Sequence, residues 1–226
     1  MGEAKKIVIV GVGETANLAD EYFSFDSPHE VVAFAVDEAF KKSEEFRGKP
    51  VVGMNELVAS YPPSKYRAFV AFGSGELNYQ RTRMYGRIKE MGYACVSYVS
   101  SRAFVWRNVE IGENCFIFEN NTLQPFSKVG NNVVMWSGNH LGHQSVIEDN
   151  CFITSHVVIS GFCRIGRNTF LGVNSAIADH VAIGADNFIA MGTCLNKSTG
   201  DNEIFRGNPA MKMGIPARQF CFVNAM

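Results

Sequence analysis

Apolar residues recur along this chain in two different rhythms. From Val99 to Leu195 an aliphatic residue stands at every sixth position: Val99, Val105, Ile111, Ile117, Leu123, Val129, Met135, Leu141, Ile147, Ile153, Ile159, Ile165, Leu171, Ile177, Ile183, Ile189 and Leu195. A six-residue period fits neither an α-helix nor a flat strand. It fits a coil of short strands joined by tight corners, and predicts a parallel β-helix. Ahead of it, KIVIVG, EVVAFAV, YRAFVAFG and ACVSYV read as short apolar strands, with helical stretches up to about Phe25 and through RTRMYGRIKEMG. That alternation predicts a parallel α/β sheet, a Rossmann-like half domain. The rhythms meet near Tyr98, which divides the chain into an α/β domain over 1–97, a β-helix over 98–198 and a C-terminal loop and tail over 199–226.

With the aliphatic as the third residue of each hexad, alternation sends the first and third residues inward and the second and fourth outward. Gly, Asn and Asp at the fifth and sixth positions suit the corners. Three hexads, or eighteen residues, then make one triangular coil, and the repeat gives five to six coils, about 25 to 30 Å long at strand spacing. The three sides differ. One carries Glu110, Lys128, Val146, Arg164 and Ala182 and is expected to face water. The next carries Phe116, Val134, Phe152, Phe170 and Phe188, with Phe118 and Trp136 beside them. So large an outward aromatic ladder predicts an interface, read here as self-association. The third bears Thr122, His140, Val158, Ala176 and Cys194, small apart from the histidine.

The chain has 226 residues, 46% of them hydrophobic, and a formal net charge of -1. With no basic run, nucleic acid and anionic membranes are not expected partners. The apolar run after the basic start is short and leads into Gly-x-Gly instead of a cleavage site, so a cytoplasmic location is expected. The six cysteines form no CxxC pair and no metal-type spacing, and Cys115, Cys151 and Cys163 fall in inward slots, as small buried apolar groups of a reducing compartment do.

Histidine is the side chain best matched to proton transfer near neutral pH. Of the five, His140, His143, His156 and His180 lie in the coil. Any one alone reads as a corner residue. Gly161 follows His143 by eighteen residues and is expected one coil away at the same corner, where a backbone N–H is open to a carbonyl oxygen. In the N-terminal part, Gly11, Gly13 and Ala16 match G-x-G-x-x-G/A between a strand and a helix, and Asp37 ends the second strand at about the distance of a ribose-binding acid. Fewer than a hundred residues supply only one mononucleotide half of a dinucleotide fold.

The segment NHLGHQSVIEDNCFITSHVVISGFCRIG, the following SGFCRIGRNTFLGVNSAIADHVAIG and the closing IFRGNPAMKM resemble the bacterial nucleotide-sugar N-acetyltransferases and sialic acid O-acetyltransferases. The resemblance implies a left-handed coil, usually trimeric, with acetyl-CoA as cosubstrate and no metal. It implies that His143, four residues before Ile147, is the general base and that the Gly161 amide binds the thioester oxygen. CoA is then expected along the coil edge past Gly161 toward Asn196 and Gly207. The nucleotide of a nucleotide-linked amino sugar falls to Gly11, Gly13, Glu14 and Asp37, with Ser74 and Arg81 after the third strand. Two departures stand out: Gln144 occupies the place of the family's orienting acid, and Phe152 that of its second histidine. Glu148, Asp149 or a backbone carbonyl is the expected substitute for the acid, and His140 or His156 for the histidine. The rival readings are sugar O-acetylation, a γ-type carbonic anhydrase with zinc on three histidines, and a non-catalytic β-helix.

Overall fold

The computed structural model describes residues 4–208 and 211–223. Two residues of the IFRGNPAMKM segment, 209 and 210, and the last three of the tail lie outside the described residues.

The N-terminal elements are β1 (Lys6–Val10), α1 (Glu14–Asp26), β2 (Glu30–Val36), β3 (Glu45–Phe46), β4 (Lys49–Gly53), α2 (Leu57–Ser60), β5 (Arg67–Val70) and α3 (Tyr79–Glu90). They form one sheet in the order β3-β4-β2-β1-β5, parallel except for the β3–β4 hairpin. Both faces are covered, which is why these strands are apolar throughout instead of alternating. Ile7, Ile9, Phe34 and Phe69 meet Ala16, Ala19 and Phe23 of α1. Val8, Val10, Ala33 and Val70 meet Leu57 of α2 and Met84 and Ile88 of α3.

Beyond Tyr98 the chain is a parallel β-helix of two-residue strands stacked in three sheets. Phe116 pairs with Val134, Val134 with Phe152, Phe152 with Phe170 and Phe170 with Phe188, an eighteen-residue step each time. Inside, the hexad aliphatics from Ile117 to Leu195 are buried, and Cys115, Cys151 and Cys163 share their core. Burial of each such aliphatic stabilises by about 1.5 to 3 kcal/mol. Instead of a loop, Ile204–Arg206 adds a parallel strand beside Phe188–Ile189, Met211–Lys212 folds back on it, and α4 (Ala217–Phe220) follows. The coil's sheet therefore extends into the expected tail.

The aromatic side is not free for another copy. The chain's own N-terminal sheet covers it: Tyr22 of α1 lies edge-on to Phe116 and Phe118, and Phe69 of β5 to Phe116, with centroids 4.9 to 5.8 Å apart. Phe116 is 1% and Phe152 7% exposed. Trp136 stacks on Phe118, while Phe170 stacks on Phe188, which meets Phe220 of α4. An outward apolar face demands a cover, and here the cover belongs to the same molecule.

Arg81 fastens this contact and is not placed to bind substrate. Its guanidinium is fully buried, donating to Asn132 Oδ1 at 3.2 Å and to the carbonyls of Asn132, Cys151 and Asn150 at 2.9, 3.0 and 3.2 Å. Burial pushes its pKa down to about 10. Asn78, just ahead of α3, donates to the Asn168 carbonyl. Three carboxylates at the same contact accept bonds across it: Asp26 from Tyr98, Ser100 and the Ser101 N–H, Glu119 from Tyr22, and Glu113 from Tyr85 and the Cys95 N–H.

Candidate active site

The coil has three corners per turn, each needing a residue with positive φ. The corner leading into the aromatic side uses Asn114, Asn132, Asn150, Asn168 and Asp186, the short polar side chains that tolerate this conformation best. The corner between the small-residue side and the solvated side uses Phe126, Gln144, Phe162 and His180 instead, with φ between 56° and 64°. Bulky residues in this region carry strain, and such strain points to a site. This corner lies across the coil from the N-terminal sheet.

His143 stands at that corner, exposed. Phe162 donates its N–H to the His143 carbonyl at 3.0 Å, and His180 donates to the Gly161 carbonyl at 3.0 Å, so His143, Gly161 and Asp179 follow one another on successive coils. A Cβ built on Gly161 would lie 2.7 Å from His143 Cε1, 3.0 Å from His143 Nε2 and 2.9 Å from Asp179 Oδ1. A side chain at this position would push the imidazole and the Asp179 carboxylate aside. Gln124 holds the other side of the ring: its Oε1 accepts the His143 backbone N–H at 3.0 Å and lies 3.3 Å from Nδ1. Because the backbone N–H fixes that atom as oxygen, Nδ1 carries the hydrogen in the tautomer this contact favours. Nε2 then presents a lone pair over Gly161. Phe162 packs edge-on to His143, with centroids 4.9 Å apart, and stacks on His180 at 4.7 Å.

The other expected partners of His143 are elsewhere. Glu148 sits at the far end of the next strand, paired with Arg164 and accepting the Arg167 N–H, and Asp149 accepts the Asn131 N–H. Neither orients His143. His156 occupies a different corner, its ring over Gly138, because thirteen residues is not a whole number of coils. His140 is on the same coil as His143 but faces outward from the small-residue side, between Thr122 and Val158. Asn196 is exposed near the edge below Asp179, and Gly207 accepts the Cys194 N–H at the C-terminal end of the same side. The sequence reasoning missed Gln124, Phe162 and Asp179. Carrying the eighteen-residue step one coil further from Gly161 finds Asp179; Gln124 stands nineteen residues before His143 and escapes that rule.

In the N-terminal part, a Cβ on Gly11 would lie 2.9 Å from the Ala71 carbonyl oxygen at φ +124°, so this turn requires glycine for close approach to the end of β5. Gly13 is the open N-cap of α1, and Glu14 beside it is exposed and bonded to Asn17. Asp37 pairs with Arg87 of α3 at the mouth of a cleft of about 410 Å³ that Phe40, Phe72, Glu76 and Arg83 also line. Ser74 lines a different hollow, beside Phe170 and Phe188. Among the described residues, no three histidine, cysteine or carboxylate side chains converge as a metal site, and no helix is long and apolar enough to cross a membrane.

Solved structures share this architecture over nearly the whole chain. The perosamine N-acetyltransferase PerB of Caulobacter crescentus, solved with CoA and GDP-perosamine, superposes with a TM-score of 0.82 at 23% identity, covering 92% of this chain and 97% of that one. The chain shares its fold. The acetyltransferase domain of PglB from Neisseria gonorrhoeae, solved with acetyl coenzyme A, gives 0.82 at 18% identity over 93% of this chain and all of that one. WeeI from Acinetobacter baumannii gives 0.73 at 19% identity over 93% and 100%. No protein-family model matches the chain.

Proposed function

We propose that this chain is an acetyl-CoA-dependent N-acetyltransferase acting on the amino group of a nucleotide-linked sugar. The observation that carries the reading is the imidazole of His143, tied at Nδ1 to Gln124 and with Nε2 set over Gly161. The fold shared with PerB, solved with CoA and GDP-perosamine, and with the PglB acetyltransferase domain, solved with acetyl coenzyme A, supports it. The amine nitrogen attacks the thioester carbon, the Gly161 N–H donates to the oxygen as charge develops there, and His143 Nε2 takes the nitrogen's proton. Collapse breaks the C–S bond, and the proton passes from His143 to the CoA thiolate. No metal and no acyl-enzyme enter this path.

In this reading CoA lies along the edge from His143 past Asp179 toward Asn196 and Gly207. The cleft at Asp37 and Arg87 takes the nucleotide, with Gly11 and Gly13 shaping the turn beside it. The division at 97 and 198, the left-handed coil and a cytoplasmic location belong to the same proposal. So does a homotrimer, now placed on the small-residue side. There Phe104, Trp106 and Val158, with Phe126 and Phe162 at the catalytic edge, are 42 to 61% exposed, an apolar surface that association would cover.

The test is thiol release from acetyl-CoA with a panel of nucleotide-linked amino sugars, beginning with GDP-perosamine, and their hydroxyl counterparts. His143→Ala is expected to lower turnover at least about a hundredfold with an unchanged melting temperature. Equal turnover in the variant would remove His143 from the mechanism, and acetylation confined to hydroxyl acceptors would overturn the amine assignment.

A further inference from the structure

Asp179 stands where the mechanism above has no use for it. Its Oδ1 and the Nε2 of His143 both reach the same point over Gly161, at 2.9 and 3.0 Å from a Cβ built there. The two atoms bracket the space over Gly161 in which the proposed mechanism sets the attacking nitrogen. The position creates an electrostatic conflict: a carboxylate beside the N–H that receives a developing oxyanion repels that oxyanion unless a cation stands near both. The cation the reaction brings is the acceptor itself, because an amino sugar near neutral pH carries an ammonium. A hydroxyl acceptor brings none. The carboxylate's one ion contact among the described residues is its neighbour His180, with Nε2 at 3.3 Å, and both side chains are more than half exposed.

We infer that Asp179 is the acceptor-recognition residue of this site, receiving the protonated amine beside His143 and so favouring an amine over a hydroxyl. The inference rests on the acetyltransferase reading and deepens it. The ammonium docks on Asp179 and loses one proton through His143 to water, leaving a neutral amine. That amine forms the new C–N bond and gives its second proton to the now neutral His143, from which it reaches the departing CoA sulfur. Each turnover makes one amide and one thiol and releases one proton. The titratable and charged groups facing Asp179 are His143 across Gly161, His180 beside it, the Cys163 thiol beneath, and Lys197 at the register position one coil on.

Asp179→Asn tests this with the best acceptor of the panel. In the neutral range the KM for the amino sugar is expected to rise about fivefold or more, with a smaller change in kcat. The rise should close as pH passes the acceptor amine's own pKa, because a neutral amine gains little from the carboxylate. Asp179→Glu should recover part of the loss. A rise in the KM of acetyl-CoA instead would assign Asp179 to the pantetheine arm and overturn the inference. A pH-independent fall in kcat with both KM values unchanged would make it a partner of the imidazolium, and would also overturn it. A wild-type chain that releases no thiol with any acceptor sinks the acetyltransferase reading itself; an active wild type with an indistinguishable Asn variant sinks this inference alone.

Discussion

At the scale of the residue, the unusual choice is a neutral side chain behind the proposed base. A carboxylate beside Nδ1 would hold the imidazole in place and also favour its charged form, whereas the Gln124 amide holds it without adding charge. Replacing Gln124 with Glu is therefore expected to stabilise the imidazolium over the neutral ring. Because only neutral imidazole accepts a proton, the acid limb of the kcat/KM profile should move to higher pH, which a pH–rate series reads directly. The stacking of His143 on Gly161 was legible in the sequence because a residue and its neighbour on the next coil differ by one fixed step. Gln124 was not, because its amide reaches back along the chain to meet a backbone N–H, and no periodicity encodes that reach.

At the scale of the element, α3 joins two jobs. Arg83 and Arg87 face the cleft, while Asn78 and Arg81 are sunk into the asparagine corner of the coil. Three successive residues with positive φ, Glu76, Leu77 and Asn78, precede the helix, and the strain of that turn is held by those buried contacts. Arg81→Ala would leave the carbonyls of Asn132 and Asn150 without this donor, while the Cys151 carbonyl keeps the Val134 N–H. It is expected to destabilise the chain by about 3 kcal/mol or more, as a lowered urea midpoint. The hexads predicted the coil's elements correctly because the third position of each one repeats one chemistry, a buried aliphatic. The aromatic ladder was found but its partner was mistaken, since an apolar face states that it must be covered and leaves open by what. Arg81 was misassigned for a related reason: a basic residue after a nucleotide-type strand reads as a ligand until its burial is seen.

At the scale of the whole molecule, the contact between sheet and coil is sensitive to acid. Asp26, Glu113 and Glu119 all lie there with pKa values below the ordinary carboxylate range. Burial alone would raise them, but the bonds from Ser101 and Tyr98 to Asp26, from Lys89 and Tyr85 to Glu113, and from Ser137 and Tyr22 to Glu119 outweigh it. A depressed folded-state value means that the stabilisation is complete above the unfolded pKa and is lost as pH falls through the folded one. The melting temperature is expected to fall most steeply below about pH 4.5, and Glu119→Gln should flatten that slope.

The position of His143 across the coil from its own N-terminal sheet has a consequence for inheritance. In the proposed assembly, the base of one chain would serve a sugar held by the cleft of another, so a lesion in the cleft and a lesion in the base need not disable the same site. Two defective alleles, each silent alone, would then build some complete sites when their products mix.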